Sequence, residues 1–194
     1  MESVMKSLLT ACFSAIAMLT TATAPAATYD LEKPHTQILF KVNHLGFSNS
    51  TGRFTDFDGV VEFDPEDWGS ASVDVVIQAA SVEMNHEKWN AHMKDGDFFD
   101  VAEHGQITFK STQMTRVNKH YGNLKGVLTI LGVSKPVELE VKLNKVGTHP
   151  FKKQALAGFS ASTVIKRSEW GVKYGIPMVG NDVEISIEVE AIQR

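Results

Sequence analysis

The histidines and acidic residues between positions 83 and 100 could bind a metal ion or transfer protons. His86 and Glu87 begin like the helical motif of zinc proteases, in which a second histidine four residues later projects from the same face. Here position 90 is Asn, and His92 comes six residues after His86. That spacing is about 600° of helical rotation, so the two rings should point to different sides. The pattern therefore favours exposed or packing histidines, and we expect no metal site.

A serine nucleophile is the second chemical possibility in the sequence. Residues 158–162 read Gly-Phe-Ser-Ala-Ser, which approaches the G-x-S-x-G pattern but ends in Ser and lies in a run that predicts a strand. The acidic pairs Asp56/Asp58 and Asp95/Asp97 are more typical of turns and helix caps than of paired catalytic carboxylates. The residues give no positive indication of catalysis, and we expect a protein that is not an enzyme.

The first 27 residues predict a cleaved secretory signal peptide. Lys6 precedes an apolar run, Ser7 to Thr20, that is too short to span a bilayer, and small residues follow it. Processing would leave a domain of residues 28–194 in the periplasm. Cys12, the single cysteine, lies inside the removed segment, so the mature domain cannot depend on disulfides.

The charge balance argues against nucleic acid as a partner. The formal net charge is −4, and removing residues 1–27 leaves it unchanged, because one Lys and one Glu are lost together. No basic run stands out in the remaining chain. The composition also lacks a linker or low-complexity segment that would divide the domain.

The stretch from Leu124 to Leu143 predicts a β-hairpin around which the rest of the domain is organised. Leu139 and Val141 alternate with Glu138 and Glu140, as expected for an antiparallel strand with one buried and one solvated face. Between the two runs, Gly132 can adopt a positive φ. We expect Lys135 and Pro136 to mark the turn, with the second strand starting at the proline.

Similar alternation recurs along most of the chain, in about eight or nine predicted strands. Residues 83–100 lack this alternation, and their composition predicts a short helix from His86 to Asp95. Asn85 is its predicted N-cap, and Gly96 is predicted to end it. Trp89 and Met93 lie four residues apart on that helix and can share a face. Many short strands at near-regular spacing indicate a barrel or a sandwich.

Several of these segments together resemble the YceI-like family of secreted lipid- and polyisoprenoid-binding proteins. They span nearly all of the mature chain in the family's order. Four positions differ, since the family often has Tyr-Pro where His104 and Gly105 stand here, and Arg and Asp where Trp89 and Asn90 stand. The segments that carry the resemblance are His44 to Gly46, Gly52 to Gly59, Asn85-His86 with His92, Asp97 to Phe99, Ile107 to Phe109, Gly126 to Thr129 and Gly132 to Val137.

The resemblance implies an all-β fold, an antiparallel lipocalin-like barrel of about eight strands with one short helix, whose apolar interior holds an isoprenoid or quinone-type tail. His86 and His92 are then candidates for contact with the ligand's head group. No other cofactor is implied. The residues expected to line the ligand site are the inward-facing residues of the strands and the apolar face of the helix: Phe40, Val42, Phe54, Phe63, Val75, Ile77, Trp89, Met93, Phe109, Leu128, Leu139, Val141, Phe159, Ile185 and Ile187.

Two alternatives stay open at this point. An eight-stranded barrel can be filled by its own side chains, which would make the protein a solid-core structural or partner-binding barrel. The same cavity could instead belong to an enzyme that processes a lipid or quinone, with His86 or His92 as acid or base. As further partners the sequence leaves open a transient contact with a membrane or a membrane protein, and a second copy of the chain as a homodimer.

Overall fold

Eleven strands and one α-helix form the part of the chain that the computed structural model describes, residues 26–194. The predicted signal peptide lies outside the described residues, apart from Ala26 and Ala27. The helix, α1, is Glu87–Lys94, and within residues 26–194 no helix has the length and apolarity needed to cross a membrane. The strands are β1 (Ala27–Leu31), β2 (Gln37–His44), β3 (Ser48–Phe54), β4 (Phe57–Phe63), β5 (Ser72–Gln78), β6 (Val82–Glu83), β7 (Gln106–Arg116), β8 (Tyr121–Ile130), β9 (Val133–Thr148), β10 (Ala155–Lys166) and β11 (Val179–Gln193).

The β8–β9 hairpin has the predicted strand phase but a tighter turn. Leu124 lies opposite Leu139 and both side chains are buried. The turn consists of Leu131 and Gly132, with φ values of 50° and 72°, which is the two-residue geometry that matches the twist of a hairpin.

The prediction that Lys135 and Pro136 mark this turn is therefore wrong. Pro136 lies inside β9, opposite Val127. Its missing amide hydrogen is tolerated because β9 pairs with β10 only from Glu140 onward, so the strand has a free edge at the proline.

One short strand closes the sheet into a barrel. β1 pairs with β4 on one side and with the last residues of β11 on the other, so eight strands form a ring in the order β1-β4-β5-β7-β8-β9-β10-β11. The earlier part of β11 pairs with β2, and β3 and β6 continue the wall from there. Every pairing is antiparallel. The predicted antiparallel barrel of about eight strands with one short helix is confirmed, while β1 and β6 were not predicted.

The helix lies one residue inside its predicted limits at each end, and its cap differs. The N-cap residue is His86, without a side-chain capping bond, whereas Asn85 has a positive φ of 58°. The prediction of Asn85 as N-cap is therefore wrong. Asn90 fixes the helix against β6 instead: its amide oxygen accepts from the backbone N of Met84 at 2.6 Å, and its amide nitrogen donates to Glu83 at 2.9 Å.

Inward-facing side chains form two buried clusters inside the barrel. The helix-end cluster lies under α1 and includes Ile77, Ile130, Ile165 and Trp170. The far-end cluster includes Phe63, whose ring meets that of Phe159 edge-on at 5.1 Å. The alternation predicted from the sequence thus places apolar residues of every long strand inside the barrel.

Candidate functional site

A cavity of about 410 Å³ lies within the barrel and is bordered by residues of both clusters. Its wall is almost entirely apolar, because each strand contributes every second side chain to it. Ile187 and Phe109 pack against both clusters, so they mark the middle of the cavity. The barrel is therefore hollow, and the solid-core alternative does not describe it.

The structure brings the apolar residues predicted as ligand contacts into one place, since all of them line this cavity. From the strands these are Phe40, Val42, Phe54, Phe63, Val75, Ile77, Phe109, Leu128, Leu139, Val141, Phe159, Ile185 and Ile187, and from the helix they are Trp89 and Met93.

The cavity wall also contains residues that the sequence did not single out. Some of them, such as Ile38, follow the same alternation as the predicted residues and could have been included. Others come from segments without a period, namely Phe98 and Phe99 after α1, and Val172 and Tyr174 between β10 and β11. The consecutive aromatics at 98 and 99 were a visible indication, whereas nothing in the sequence pattern places Tyr174 at the cavity.

Polar lining residues are concentrated near the helix end of the cavity. His44 and Ser50 lie at the adjoining ends of β2 and β3, and His92 is on α1. Arg167 and Tyr174 belong to the connection between β10 and β11, beside the same end. Most of the few polar side chains in the wall therefore lie at its helix end, with Thr36 toward the other end, and this distribution suits an amphipathic molecule.

His92 and His86, the two head-group candidates, have different positions. His92 lines the cavity, and its Nε2 lies 3.1 Å from an Asp97 carboxylate oxygen. Its ring meets those of Phe98 and Tyr174 edge-on at 4.9 and 5.0 Å. His86 does not line the cavity; its ring lies 6.0 Å from that of Trp89, which does.

His92, Asp95 and Asp97 form one group with the spacing of metal ligands, because potential donor atoms of all three lie within 4.8 Å of one another. Local structure accounts for this arrangement without an ion. Asp95 accepts a hydrogen bond from the Asp97 backbone N at 3.0 Å in the turn that ends the helix. Asp97 in turn is hydrogen bonded to His92. We assign no metal to it.

Arg167 is a buried cation that organises the helix end of the barrel. Its side chain is 7% exposed and donates to four backbone carbonyls, those of Gly180, Val172, Tyr174 and Val179, at 2.8 to 3.2 Å. Burial lowers the pKa of this guanidinium from its ordinary value, but an arginine remains protonated at neutral pH. The side chain therefore fixes the segment that carries Tyr174 to the barrel.

Replacing Arg167 with Met should destabilise the protein by roughly 3 kcal/mol, because several buried carbonyls would lose a charged donor. Urea unfolding measures the loss, and limited proteolysis should show earlier cleavage between residues 171 and 178. Lys166→Met is the matched control, since its ammonium forms an exposed pair with Asp182 at 2.7 Å and exposed pairs contribute little. Equal stability of the two variants would contradict the role given to Arg167.

Comparison with known proteins identifies the family. The model of the YceI-like domain matches residues 29–191. The chain belongs to the YceI-like family. Protein YceI of Escherichia coli O157:H7 is 35% identical to it over 191 residues, which is 97% of this chain and 98% of the relative.

Solved structures show the same YceI-like fold. BcnA of Burkholderia cenocepacia superposes with a TM-score of 0.76 at 23% identity, covering 82% of this chain and 98% of BcnA. A polyisoprenoid-binding domain from Saccharophagus degradans superposes with a TM-score of 0.66 at 14% identity, covering 88% of this chain and all of that domain. These two likenesses establish the barrel architecture.

Proposed function

We propose that this YceI-like protein binds a polyisoprenoid or quinone-type lipid by its tail and carries or stores it in the periplasm. The observation that supports the proposal most is the cavity of about 410 Å³ with its apolar wall. Ligand sites commonly have about 300 to 1,000 Å³. Each methylene group transferred from water into such a wall contributes about 0.8 kcal/mol, so ten carbons contribute about 8 kcal/mol before the costs of association are subtracted, and each further buried carbon strengthens binding.

The distribution of polar groups suggests how the lipid is oriented. The tail lies toward Phe63 and Phe159, and the head group lies near His92, Arg167 and Tyr174. Among the described residues that line the cavity, none is Asp, Glu or Lys. A cationic head group would therefore find no carboxylate in the wall to neutralise it, whereas a neutral or anionic one would lie near a guanidinium.

Relatives support the same class of ligand. A structural neighbour is a polyisoprenoid-binding domain, and family membership extends over nearly all of the domain. The periplasmic location rests on the signal-peptide pattern of residues 1–27 alone. N-terminal sequencing of the protein made in its own cells would test it, with a mature start near Thr28 as the expected result and an intact Met1 as the contrary one.

Binding is favoured over conversion by the composition of the wall. Proton transfer to or from a lipid would need an acid or base in contact with the reacting atom. His92 is the described histidine with a carboxylate partner at the cavity, but no described Ser, Thr or Cys lies within hydrogen-bond reach of it. We therefore propose that the lipid leaves the cavity chemically unchanged.

Titration with farnesol, geranylgeraniol and solanesol tests the proposal through the quenching of tryptophan fluorescence. Because the apolar wall extends from α1 to the far-end cluster, affinity should rise with chain length and then level off when the cavity is full. Absence of binding at every length, or an affinity that does not depend on length, would contradict it.

A further inference from the structure

Large apolar side chains surround the helix end of the cavity on the outside of the barrel. Phe47, in the turn between β2 and β3, is 91% exposed, and Met178, before β11, is 65% exposed. Leu45, Trp89 and Tyr174 are about half exposed. We call these five side chains the rim.

The rim is continuous with the cavity wall. Trp89 and Tyr174 belong to both, because they line the cavity and also reach solvent. The His44 ring lies 6.0 Å from that of Trp89, and the next residue, Leu45, donates its backbone N to the carbonyl of Met178 at 2.9 Å. The Phe47 backbone N donates to the carbonyl of His44 at 3.1 Å. Phe47 and Met178 are therefore each within a few residues of a side chain that lines the helix end of the cavity.

The two segments that carry most of the rim are uncharged. Neither residues 43–52 nor residues 174–181 contain Asp, Glu, Lys or Arg. In a chain with 22% charged residues, about four would ordinarily occur over that length. Turns in contact with water usually have polar side chains at their tips. Large exposed apolar side chains on uncharged turns are therefore typical of a surface that binds a membrane or another apolar partner.

We propose that the rim inserts into the surface of a lipid bilayer and holds the cavity mouth against it. This inference rests on the proposed function, since a lipid tail that passes directly between cavity and bilayer never exposes its methylene groups to water. Trp and Tyr are also the side chains that favour the membrane–water interface. The two turns offer a protein partner no charged side chain with which to form a salt bridge.

Insertion of apolar side chains, rather than attraction to charged lipids, accounts for the proposed binding of the rim to the membrane. Near the rim, Lys88 and Lys173 are exposed, but Glu87 and Asp97 are exposed beside them. Because exposed charges of both signs lie there, the binding does not depend on anionic lipid. The protein should bind zwitterionic phosphatidylcholine vesicles, and added salt should weaken this binding little.

Co-sedimentation with phosphatidylcholine vesicles tests the proposal. The double variant Phe47→Ser/Met178→Ser should bind vesicles roughly tenfold more weakly or worse, since two exposed apolar side chains are lost. Phe151→Ser is the matched control. Phe151 is 87% exposed but lies between β9 and β10, at the opposite end of the barrel, and its replacement should leave vesicle binding unchanged.

The outcomes separate this inference from the proposed function. Neither Phe47 nor Met178 lines the cavity, so both variants should bind solanesol in detergent solution like the wild type. If the wild type binds solanesol but stays in the supernatant with vesicles, or if Phe151→Ser weakens vesicle binding as much as the double variant, the rim proposal is overturned. A lipid-free dimer that Phe47→Ser abolishes would assign the rim to a second copy instead. If the wild type does not bind solanesol, the proposed function itself fails.

Discussion

Replacing Ile187 with Trp should lower the affinity for solanesol by roughly a hundredfold while leaving the protein folded. Ile187 lies in the middle of the cavity, between the helix-end and far-end clusters. An indole there obstructs the passage of the tail toward Phe63. Excluding as few as four methylene groups costs about 3 kcal/mol, which is about a hundredfold in affinity.

The effect of this substitution should depend on the length of the ligand. Farnesol, whose tail is short, should bind the variant nearly as well as the wild type because it does not reach the obstruction. Ser186→Trp is the control, since Ser186 neighbours Ile187 on β11 but is exposed on the outer face of the barrel. Normal binding of solanesol by Ile187→Trp, or an equal loss in Ser186→Trp, would show that Ile187 does not lie in the path of the tail.

Replacing Leu139 with Asp should remove most of the stability of the domain. Leu139 is 6% exposed and lies opposite Leu124 in the β8–β9 hairpin. A carboxylate at this position would be buried without a partner, at a cost of about 3 to 5 kcal/mol, compared with about 5 to 15 kcal/mol for a typical domain. Thermal and urea unfolding would measure the change.

Glu140→Asp is the matched control for that variant. It shortens an acidic side chain on the exposed face of the same strand and should alter the melting temperature by little. If Leu139→Asp melted within a few degrees of the wild type, the inward direction of Leu139, and with it the phase of β9, would be refuted.

Alternation along the strands was sufficient to predict most of the barrel. Leu139 and Val141 could be placed inside because they alternate with Glu138 and Glu140, and every strand residue predicted as a ligand contact lines the cavity. A period of two determines the facing direction of a strand whatever its neighbours are. It does not determine which strands pair, so the closing role of the five-residue β1 could not be predicted.

The mouth of the cavity could be predicted only in part. Trp89 and Met93 share a helical face, and that spacing placed them correctly. Tyr174 and Arg167 depend on how an aperiodic segment folds back over the barrel end, which no local pattern specifies. Likewise, only the fold explains Gly52 within β3: the ring of Phe40, from the neighbouring strand, occupies the space that a side chain at position 52 would need.

Native mass spectrometry of the protein purified from the cells that make it would show whether the cavity holds a lipid there. We expect a complex that exceeds the mass of the polypeptide by that of one lipid, and extraction should release an isoprenoid compound that is chemically unaltered. A mass equal to that of the polypeptide alone, under conditions in which added solanesol is retained, would mean that the cavity does not hold such a lipid in the cell. A bound compound without an isoprenoid chain would refute the proposed class of ligand.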